Sequence, residues 1–413
     1  MKEMTIPEMK AKKVEFEAAM GELLSKFQNE TGAEVTGIDL HTIREAEVTG
    51  IDALRNFEGR TVISIINDIH LGARRQAGTT NHSREQLERY TFEQFKEVLK
   101  RCSGSASTII LGDLFNKAKV GEVALYMAFR ILCDHMRASN QELILVRGNH
   151  DNRSETVNDM CSLELLYVLL KDAKDSGAFE GDVYLVYNEA EHFDTGGVDF
   201  YIIPHVFNQE EFDRQLDAVP EGVGFLLLHC NYDNYFAQGD HSLNLSKSQA
   251  KKITDTGTKI LIAHEHHARR INSNLIILGN QFPTSIDDCL GGGQKAMHVV
   301  QPDGTIEPSV TWEAAGNYLD SPYDQVEHVP SNGYSFVRVS GVCEKSEFAR
   351  VVREVNELRK RSNSFIVSNA VKMREQKMDS RTKEEIETID IVGMLLSSLS
   401  DKSRRRVEAC LND

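Results

Sequence analysis

Short runs of apolar, β-branched residues alternate with longer amphipathic stretches from residue 61 onward. Strands made almost wholly of apolar residues are typical of a sheet buried on both faces, and helices between them supply the covering layers. The pattern predicts an α/β fold with helices over Arg84–Lys100 and Val120–Arg137. Fewer helices separate the later strands, which favours a sandwich of two mixed sheets flanked by helices. The predicted strands are Val62–Ile66, Thr108–Leu111, Leu143–Val146, Val198–Ile203, Gly224–His229, Lys259–Ala263 and Leu275–Leu278.

The segments on either side of this region have different patterns. Apolar residues at helical spacing from Phe16 to Phe27 predict one amphipathic helix. The hexapeptide Glu-Val-Thr-Gly-Ile-Asp occurs twice nearby, but two copies of a short sequence do not make a repeat architecture. A strand at Tyr334–Val339, a helix at Lys345–Arg361 and a strand at Ser364–Val371 predict a small α+β unit. The predicted organisation is an extension over 1–58, a main domain over 59–330, a capping domain over 331–378 and C-terminal helices over 379–413.

Composition and charge restrict the class of protein. Hydrophobic residues make up 40% of the chain and charged residues 27%, as in soluble globular proteins. No apolar run approaches a membrane span and the N-terminus lacks an apolar signal core, so we expect a cytoplasmic protein. The scattered cysteines predict reduced, buried thiols. A net charge of −16 argues against strong stand-alone DNA binding, because phosphate affinity normally comes from Lys and Arg.

Polar residues suited to metal binding follow five of the predicted strands. The carboxyl ends of strands in open α/β sheets are where sites gather. Carboxylates, imidazoles and an amide, without a thiolate, favour Mn²⁺, Fe²⁺ or Zn²⁺. Two such ions can activate water and stabilise an in-line phosphoryl displacement, and a His outside the ligand set can protonate the leaving oxygen. These residues are Asp68, His70, Asp113, Asn149, His150, His229, His264 and His266.

The ordered motifs D-x-H, G-D, G-N-H-D, H and H-x-H resemble those of the calcineurin-like metallophosphoesterases over roughly residues 61–285. One departure is Ala263, where the family usually has Gly, which allows more backbone freedom. The resemblance implies that His150 is either the acid or a stabiliser of charge on the phosphoryl oxygens and that Asp151 orients it, while Arg147 either contacts the phosphate or is structural. It further implies two divalent ions, one bound by Asp68, His70 and His266 and the other by Asn149, His229 and His264, with Asp113 bridging.

Finer features resemble the SbcD-type nucleases of double-strand-break repair and recombination. These are Leu71-Gly72 after the first motif, Leu114-Phe115 after the second, and the strand–helix–strand tail, which is similar to their capping domain. The resemblance implies a Mn²⁺-dependent DNA exonuclease or endonuclease that docks through its C-terminal helices onto an SMC-like ATPase of the SbcC type, with a homodimer as one expected assembly. Asn116 departs from the family, which commonly has an acidic residue or His there. Arg74 and Arg75 are candidate DNA contacts.

Two other functions fit the same motifs. A stand-alone phosphoesterase acting on a small nucleotide or a phosphoprotein would keep the metal site and need no ATPase partner. A binding subunit that has lost its chemistry is the non-enzymatic alternative, and the presence of every core ligand argues against it. The C-terminal helices likewise have a second interpretation, in which their apolar face packs on their own core.

Overall fold

The structure is a computed structural model that describes residues 62–73, 81–151, 160–234, 243–290, 293–330, 333–361 and 366–374, with the backbone alone for 81–85. The predicted extension over 1–58, the C-terminal helices over 379–413, and the candidate DNA contacts Arg74 and Arg75 lie outside the described residues.

The first sheet has six strands in the order β14-β13-β1-β2-β3-β4. Its four parallel strands supply three of the predicted metal-site motifs at their carboxyl ends, and β13 pairs antiparallel with β1. The sequence pattern predicted β1 to β3 but not the partly exposed strands at the edges. The strands are β1 (Ile63–Ile66), β2 (Ser107–Leu111), β3 (Glu142–Val146), β4 (Val183–Val186), β13 (Gln294–Val300) and β14 (Ile306–Glu313).

The second sheet also has six strands, in the order β11-β12-β10-β7-β6-β5. Its four central strands are parallel, and an antiparallel strand closes each edge. Two short strands, β8 (Asn231–Tyr232) and β9 (Asn244–Leu245), pair beside it. The strands of the second sheet are β5 (Glu191–Thr195), β6 (Val198–Ile203), β7 (Phe225–His229), β10 (Lys259–Ala263), β11 (Arg269–Arg270) and β12 (Leu275–Ile277).

Alternate residues of each strand face different layers, because side chains of a strand alternate between its two faces. Ile63 and Ile65 of β1 pack between the two sheets with Leu227 of β7, whereas Ile66 faces the helices of the first sheet. Leu228 faces the helices of the second sheet. The order helix, sheet, sheet, helix confirms the predicted sandwich. The helices are α1 (Asn81–Cys102), α2 (Glu122–Ser139) and α3 (Ser162–Asp175) on the first sheet, and α4 (Gln209–Asp217) and α5 (Lys247–Thr254) on the second.

A small C-terminal unit follows the sandwich. Strands β15 (Tyr318–Pro322), β16 (Phe336–Cys343) and β17 (Ile366–Met373) form a parallel sheet, against which helix α6 (Lys345–Arg361) packs. This sheet includes Tyr318–Pro322, so it begins before the predicted boundary at residue 331. Phe336 joins the core of the first sheet and makes an edge-on contact with Tyr90 of α1, with ring centroids 5.2 Å apart.

Two further expectations concern the cysteines and membranes. The six cysteines within the described residues are buried and unpaired, as the sequence predicted. The described helices include none that is both long and apolar enough to span a membrane.

Candidate metal centre

The five predicted motifs meet at the carboxyl-terminal edge of the two sheets. The loops after β1 and β2 are joined by backbone hydrogen bonds, in which Asp68 N donates to Gly112 O (3.1 Å) and His70 N donates to Asp113 O (2.9 Å). The segments after β3, β7 and β10 complete the cluster. Parallel pairing brings these strand ends to one edge, so that residues far apart in sequence become neighbours.

Several of these loop residues adopt the left-handed backbone conformation, which side chains other than glycine rarely adopt. Asp68, His70 and Asp113 have φ values of 52°, 52° and 51°, and His264 has a φ of 90°. Such strained positions cluster at functional sites. The departure at Ala263 does not disturb the turn, because Ala263 ends β10 and the left-handed conformation falls on the next residue.

One group of side chains consists of Asp68, His70 and His266. The Nε2 atoms of the two imidazoles are 3.1 Å apart, and each lies about the same distance from Asp68 Oδ1, at 4.0 and 3.9 Å. This carboxylate oxygen is buried and has no hydrogen-bond partner among the described residues. An unpartnered buried anion facing two ring nitrogens is costly unless a cation lies between them.

A second group consists of Asp113, His229 and His264. The amide oxygen of Asn149 lies 3.0 Å from His229 Nε2 and 2.9 Å from His264 Nδ1. Asp113 Oδ1 is 3.5 Å from His229 Nε2. Two nitrogens and two oxygens therefore converge on one point, which is a donor set that borderline divalent cations accept.

Asp113 lies between the two groups. Its Oδ1 faces His229, whereas its Oδ2 lies 3.8 Å from His70 Nε2. Each oxygen can thus ligate a different cation, as a bridging carboxylate requires. Gly148 permits this position, since a Cβ atom there would lie 2.1 Å from Asp113 Oδ1.

The electrostatics of the imidazoles suit cation binding. Burial lowers the pKa of His70 to about 4 and lowers the pKa of His264, so both rings remain neutral at pH 7 and keep a lone pair for a ligand bond. Burial also opposes protonation of His229, but the Asp113 carboxylate outweighs it and raises the pKa of His229 to about 9. A cation bound at His229 therefore displaces a proton. The Nδ1 atom of His229 lies 3.0 Å from Leu111 O, so Nε2 is the nitrogen that faces the centre.

His150 lies at the solvent side of this centre. Its side chain is 41% exposed, and its Nε2 is 4.0 Å from Asp113 Oδ2. Its Nδ1 lies 2.8 Å from the backbone oxygen of Asn116, which accepts the ring N–H. The backbone N–H of His150 donates to Asp113 Oδ1 (2.9 Å). The position leaves Nε2 facing both the centre and solvent.

Two expected catalytic residues have other contacts. Asp151 was predicted to orient His150, but its oxygens accept from the backbone N–H groups of Phe115 and Gly148, both at 3.1 Å. The orienting group is instead the Asn116 carbonyl. Burial, followed by repulsion from Asp113, raises the pKa of Asp151 to about 7. Through its hydrogen bonds with Phe115 and Gly148, Asp151 ties the loops after β2 and β3 together.

Arg147 is fully buried, which favours its structural interpretation over a phosphate contact. Its Nε donates to His205 O (2.7 Å) and its Nη1 donates to Asn188 Oδ1 (3.0 Å). The guanidinium carbon also lies 4.4 Å from the centroid of the Tyr187 ring. These contacts hold the segments after β4 and β6 against the end of β3. The phosphate contact of Arg147 stays a prediction.

Residues outside the predicted motifs orient the ligands. Asn67 Nδ2 donates to Asp68 Oδ2 (2.5 Å), and its own amide is held by Gln281, whose Nε2 donates to Asn67 Oδ1 (3.0 Å). Asp288 Oδ1 lies 2.9 Å from His266 Nδ1. Such outer partners set the direction of ligand atoms. Asn67 precedes the first motif, and its polar side chain after an apolar strand was the available signal; Asp288 has no comparable signal in the sequence.

The calcineurin-like phosphoesterase family model matches residues 61–275, more than half of the chain. The chain belongs to the calcineurin-like phosphoesterase family. This match covers β1 to β11 and all five motifs. The family uses a two-metal centre, and the two ligand groups of this phosphoesterase, joined by Asp113, fit such a centre.

The solved structures that are similar to this phosphoesterase include a nuclease and a dimetal phosphatase. The nuclease MPE of Pseudomonas putida is 15% identical, and the match covers 60% of this chain and 87% of that chain with a TM-score of 0.24. A dimetal phosphatase from Danio rerio is 12% identical, and the match covers 61% of this chain and 96% of that chain with a TM-score of 0.35. These similarities do not bear on substrate. Comparison with curated proteins gives no match.

Proposed function

We propose that this metallophosphoesterase is a two-metal phosphodiesterase that hydrolyses DNA, as an SbcD-like nuclease subunit. The observation that carries the proposal is the position of His150, which is solvent-accessible, held at Nδ1 and next to the bridging Asp113. A sugar alkoxide is a poor leaving group, so a diester with such a leaving group needs an acid at this position.

The side chains have separate roles in the proposed reaction. Asp68, His70 and His266 would hold one cation, Asn149, His229 and His264 the other, and Asp113 both. When bound, the ions, with Mn²⁺ as the expected metal, supply Lewis-acid polarisation of the phosphoryl oxygens and activation of water. Since the Nδ1–H of His150 is donated to Asn116 O, the proton that His150 transfers to the departing sugar oxygen is the one on Nε2.

DNA is favoured over a small ester by three features outside the metal centre. The dipeptides Leu71-Gly72 and Leu114-Phe115 resemble those of the SbcD-type nucleases. They lie side by side, and Leu71 N donates to Leu114 O (2.8 Å). The strand–helix–strand tail follows the sandwich, and its Phe336 packs into the sandwich core. The proposal includes an SMC-like ATPase partner that supplies DNA-binding surface, which would offset the net charge of −16.

Exposed cations that are close in sequence to residues of the centre also support a polyanionic substrate. Lys117 follows Asn116, whose carbonyl holds His150, and Arg270 lies in β11, shortly after His266. Both side chains are exposed and could contact phosphates that flank the scissile bond. Phosphate contacts of this kind position a nucleic acid without reading its sequence.

The test measures Mn²⁺-dependent hydrolysis of an end-labelled linear duplex, a single strand of the same sequence and bis-p-nitrophenyl phosphate. We expect the full chain to hydrolyse the small diester and to release nucleotides or fragments from DNA, with no product when EDTA is present. The same preparation of Asp113→Asn controls for a contaminating nuclease. Hydrolysis of the small diester with no product from either DNA would overturn the nuclease proposal and favour a stand-alone enzyme for small nucleotides or phosphoproteins.

A further inference from the structure

His266 has a hydrogen-bond partner on the side of its ring that faces away from the metal centre. Its Nδ1 lies 2.9 Å from Asp288 Oδ1, whereas its Nε2 faces His70 Nε2 at 3.1 Å and Asp68 Oδ1 at 3.9 Å. An ionised carboxylate can only accept hydrogen bonds. The proton of the neutral ring therefore lies on Nδ1, and the lone pair on Nε2 points into the centre.

Asp288 is itself held by donors to its other oxygen. Oδ2 accepts from Thr284 N (2.8 Å), Thr284 Oγ1 (2.9 Å) and Ser285 N (2.9 Å). The side chain is almost fully buried within the turn over 284–289. Because these donors occupy Oδ2, Oδ1 remains for His266. The two oxygens therefore have different functions, one fixing the carboxylate and the other fixing the imidazole.

The backbone of His266 is anchored in a similar way. Lys295 Nζ donates to His266 O at 2.8 Å, and this Lys is buried on β13. The ring and the main chain of His266 thus have separate supports, from Asp288 and Lys295. Lys295 is in the first sheet and His266 follows a strand of the second, so the contact also joins the two sheets at the site.

We propose that Asp288 is a positioning residue that fixes the tautomer and the orientation of His266 for a divalent cation. The inference rests on the metal assignment of the proposed function and is independent of whether DNA is the substrate. A carboxylate that accepts the second N–H of a ligand imidazole typically contributes a factor of roughly 10 to 100 to metal affinity. Asp288 is 22 residues from His266 and outside the five motifs.

Asp288→Asn distinguishes tautomer control from simple packing. The backbone donors at Thr284 and Ser285 require an oxygen at the Oδ2 position, so the amide oxygen should take that place. The amide NH₂ then faces Nδ1 of His266, which has to accept. The ring proton moves to Nε2, where it blocks the nitrogen that would bind the cation.

The experiment titrates the full chain with Mn²⁺ by calorimetry after removal of metal. For the wild type we expect two ions, and for Asp288→Asn we expect one ion bound as in the wild type and the other bound roughly 10 to 100 times more weakly. A second readout does not depend on Asp288→Asn. In ¹⁵N-histidine spectra of the metal-free wild type, at a pH high enough to leave the ring neutral, the His266 signals, assigned by their loss in His266→Gln, should report a proton on Nδ1 and none on Nε2.

Two control variants match this substitution. Asp287→Asn makes the same chemical change at the exposed neighbouring residue. Ser285→Ala removes the hydroxyl that accepts from Asp288 N (3.3 Å) and leaves the carboxylate in place. Both are expected to bind two ions with wild-type affinity.

The possible results distinguish a failure of the role of Asp288 from a failure of the metal assignment. Two ions bound equally well by the wild type and Asp288→Asn would overturn the role of Asp288 alone. Equal losses in Ser285→Ala and Asp288→Asn would assign the effect to the order of the turn, which also overturns it. A neutral His266 ring in the wild type with its proton on Nε2 would overturn the role of Asp288 even if Asp288→Asn failed to fold. A wild type that binds no ion would overturn both the inference and the metal assignment.

Discussion

Asp113→Asn is expected to abolish binding of at least one ion and to lower diester hydrolysis by about 10³-fold or more, which is the largest effect that we predict. The amide keeps an oxygen that can accept from His150 N, so the loop after β3 retains its hydrogen bond. It lacks the second oxygen and the negative charge. The two ligand groups therefore lose the anion between them, and the site no longer has a bridge.

The measurement combines metal content after dialysis, by plasma mass spectrometry, with hydrolysis of bis-p-nitrophenyl phosphate in Mn²⁺. Asp134→Asn is the matched control, because Asp134 is an exposed carboxylate on α2 that pairs with Arg137. It should keep two ions and full activity. Two tightly bound ions and wild-type turnover in Asp113→Asn would show that the bridging assignment is wrong.

His150→Ala is expected to keep both ions and to lower kcat on a diester with an alkoxide leaving group by about 10²- to 10⁴-fold. The imidazole is outside both proposed ligand sets, and its backbone contact with Asp113 does not depend on the side chain. The loss should be much smaller with bis-p-nitrophenyl phosphate, since p-nitrophenolate leaves as a stable anion and needs little protonation. A selective loss on the alkoxide substrate is the signature of a missing acid.

Turnover of both substrates by the wild type and His150→Ala provides this comparison, with Mn²⁺ calorimetry as the readout of the site itself. His328→Ala removes an exposed His from the C-terminal unit, between β15 and β16, and controls for loss of an imidazole as such. If His150→Ala lost both substrates equally, or lost an ion, His150 would act in cation binding or phosphoryl contact and not as the acid.

The location of the centre could be predicted because each ligand follows a buried strand. The apolar runs of β1, β2 and β3 ended close to their predicted positions, and parallel pairing then placed Asp68, Asp113 and Asn149 on one edge. Helix α6 has the predicted bounds, Lys345–Arg361. Strand positions and ligand chemistry are thus encoded locally, in residue types next to one another in the chain.

The contacts that orient the ligands could not be predicted in this way. Asp288 contacts His266 only because a turn folds back toward it. The partner of His150 is the backbone carbonyl of residue 116, which any residue type at that position would supply. Arg147 and Asp151 each lie two residues from the ligand Asn149 in sequence, but their side chains point elsewhere. Adjacency along a loop does not determine the direction of a side chain, whereas alternation along a strand does.

The central claim is that two divalent cations share Asp113, and crystallographic anomalous scattering from Mn²⁺ tests it most directly. We expect two anomalous peaks about 3.5–4 Å apart. One peak should contact Asp68, His70 and His266, and the other should contact Asn149, His229 and His264, with one oxygen of Asp113 on each. A single peak, or two peaks without Asp113 between them, would contradict the account.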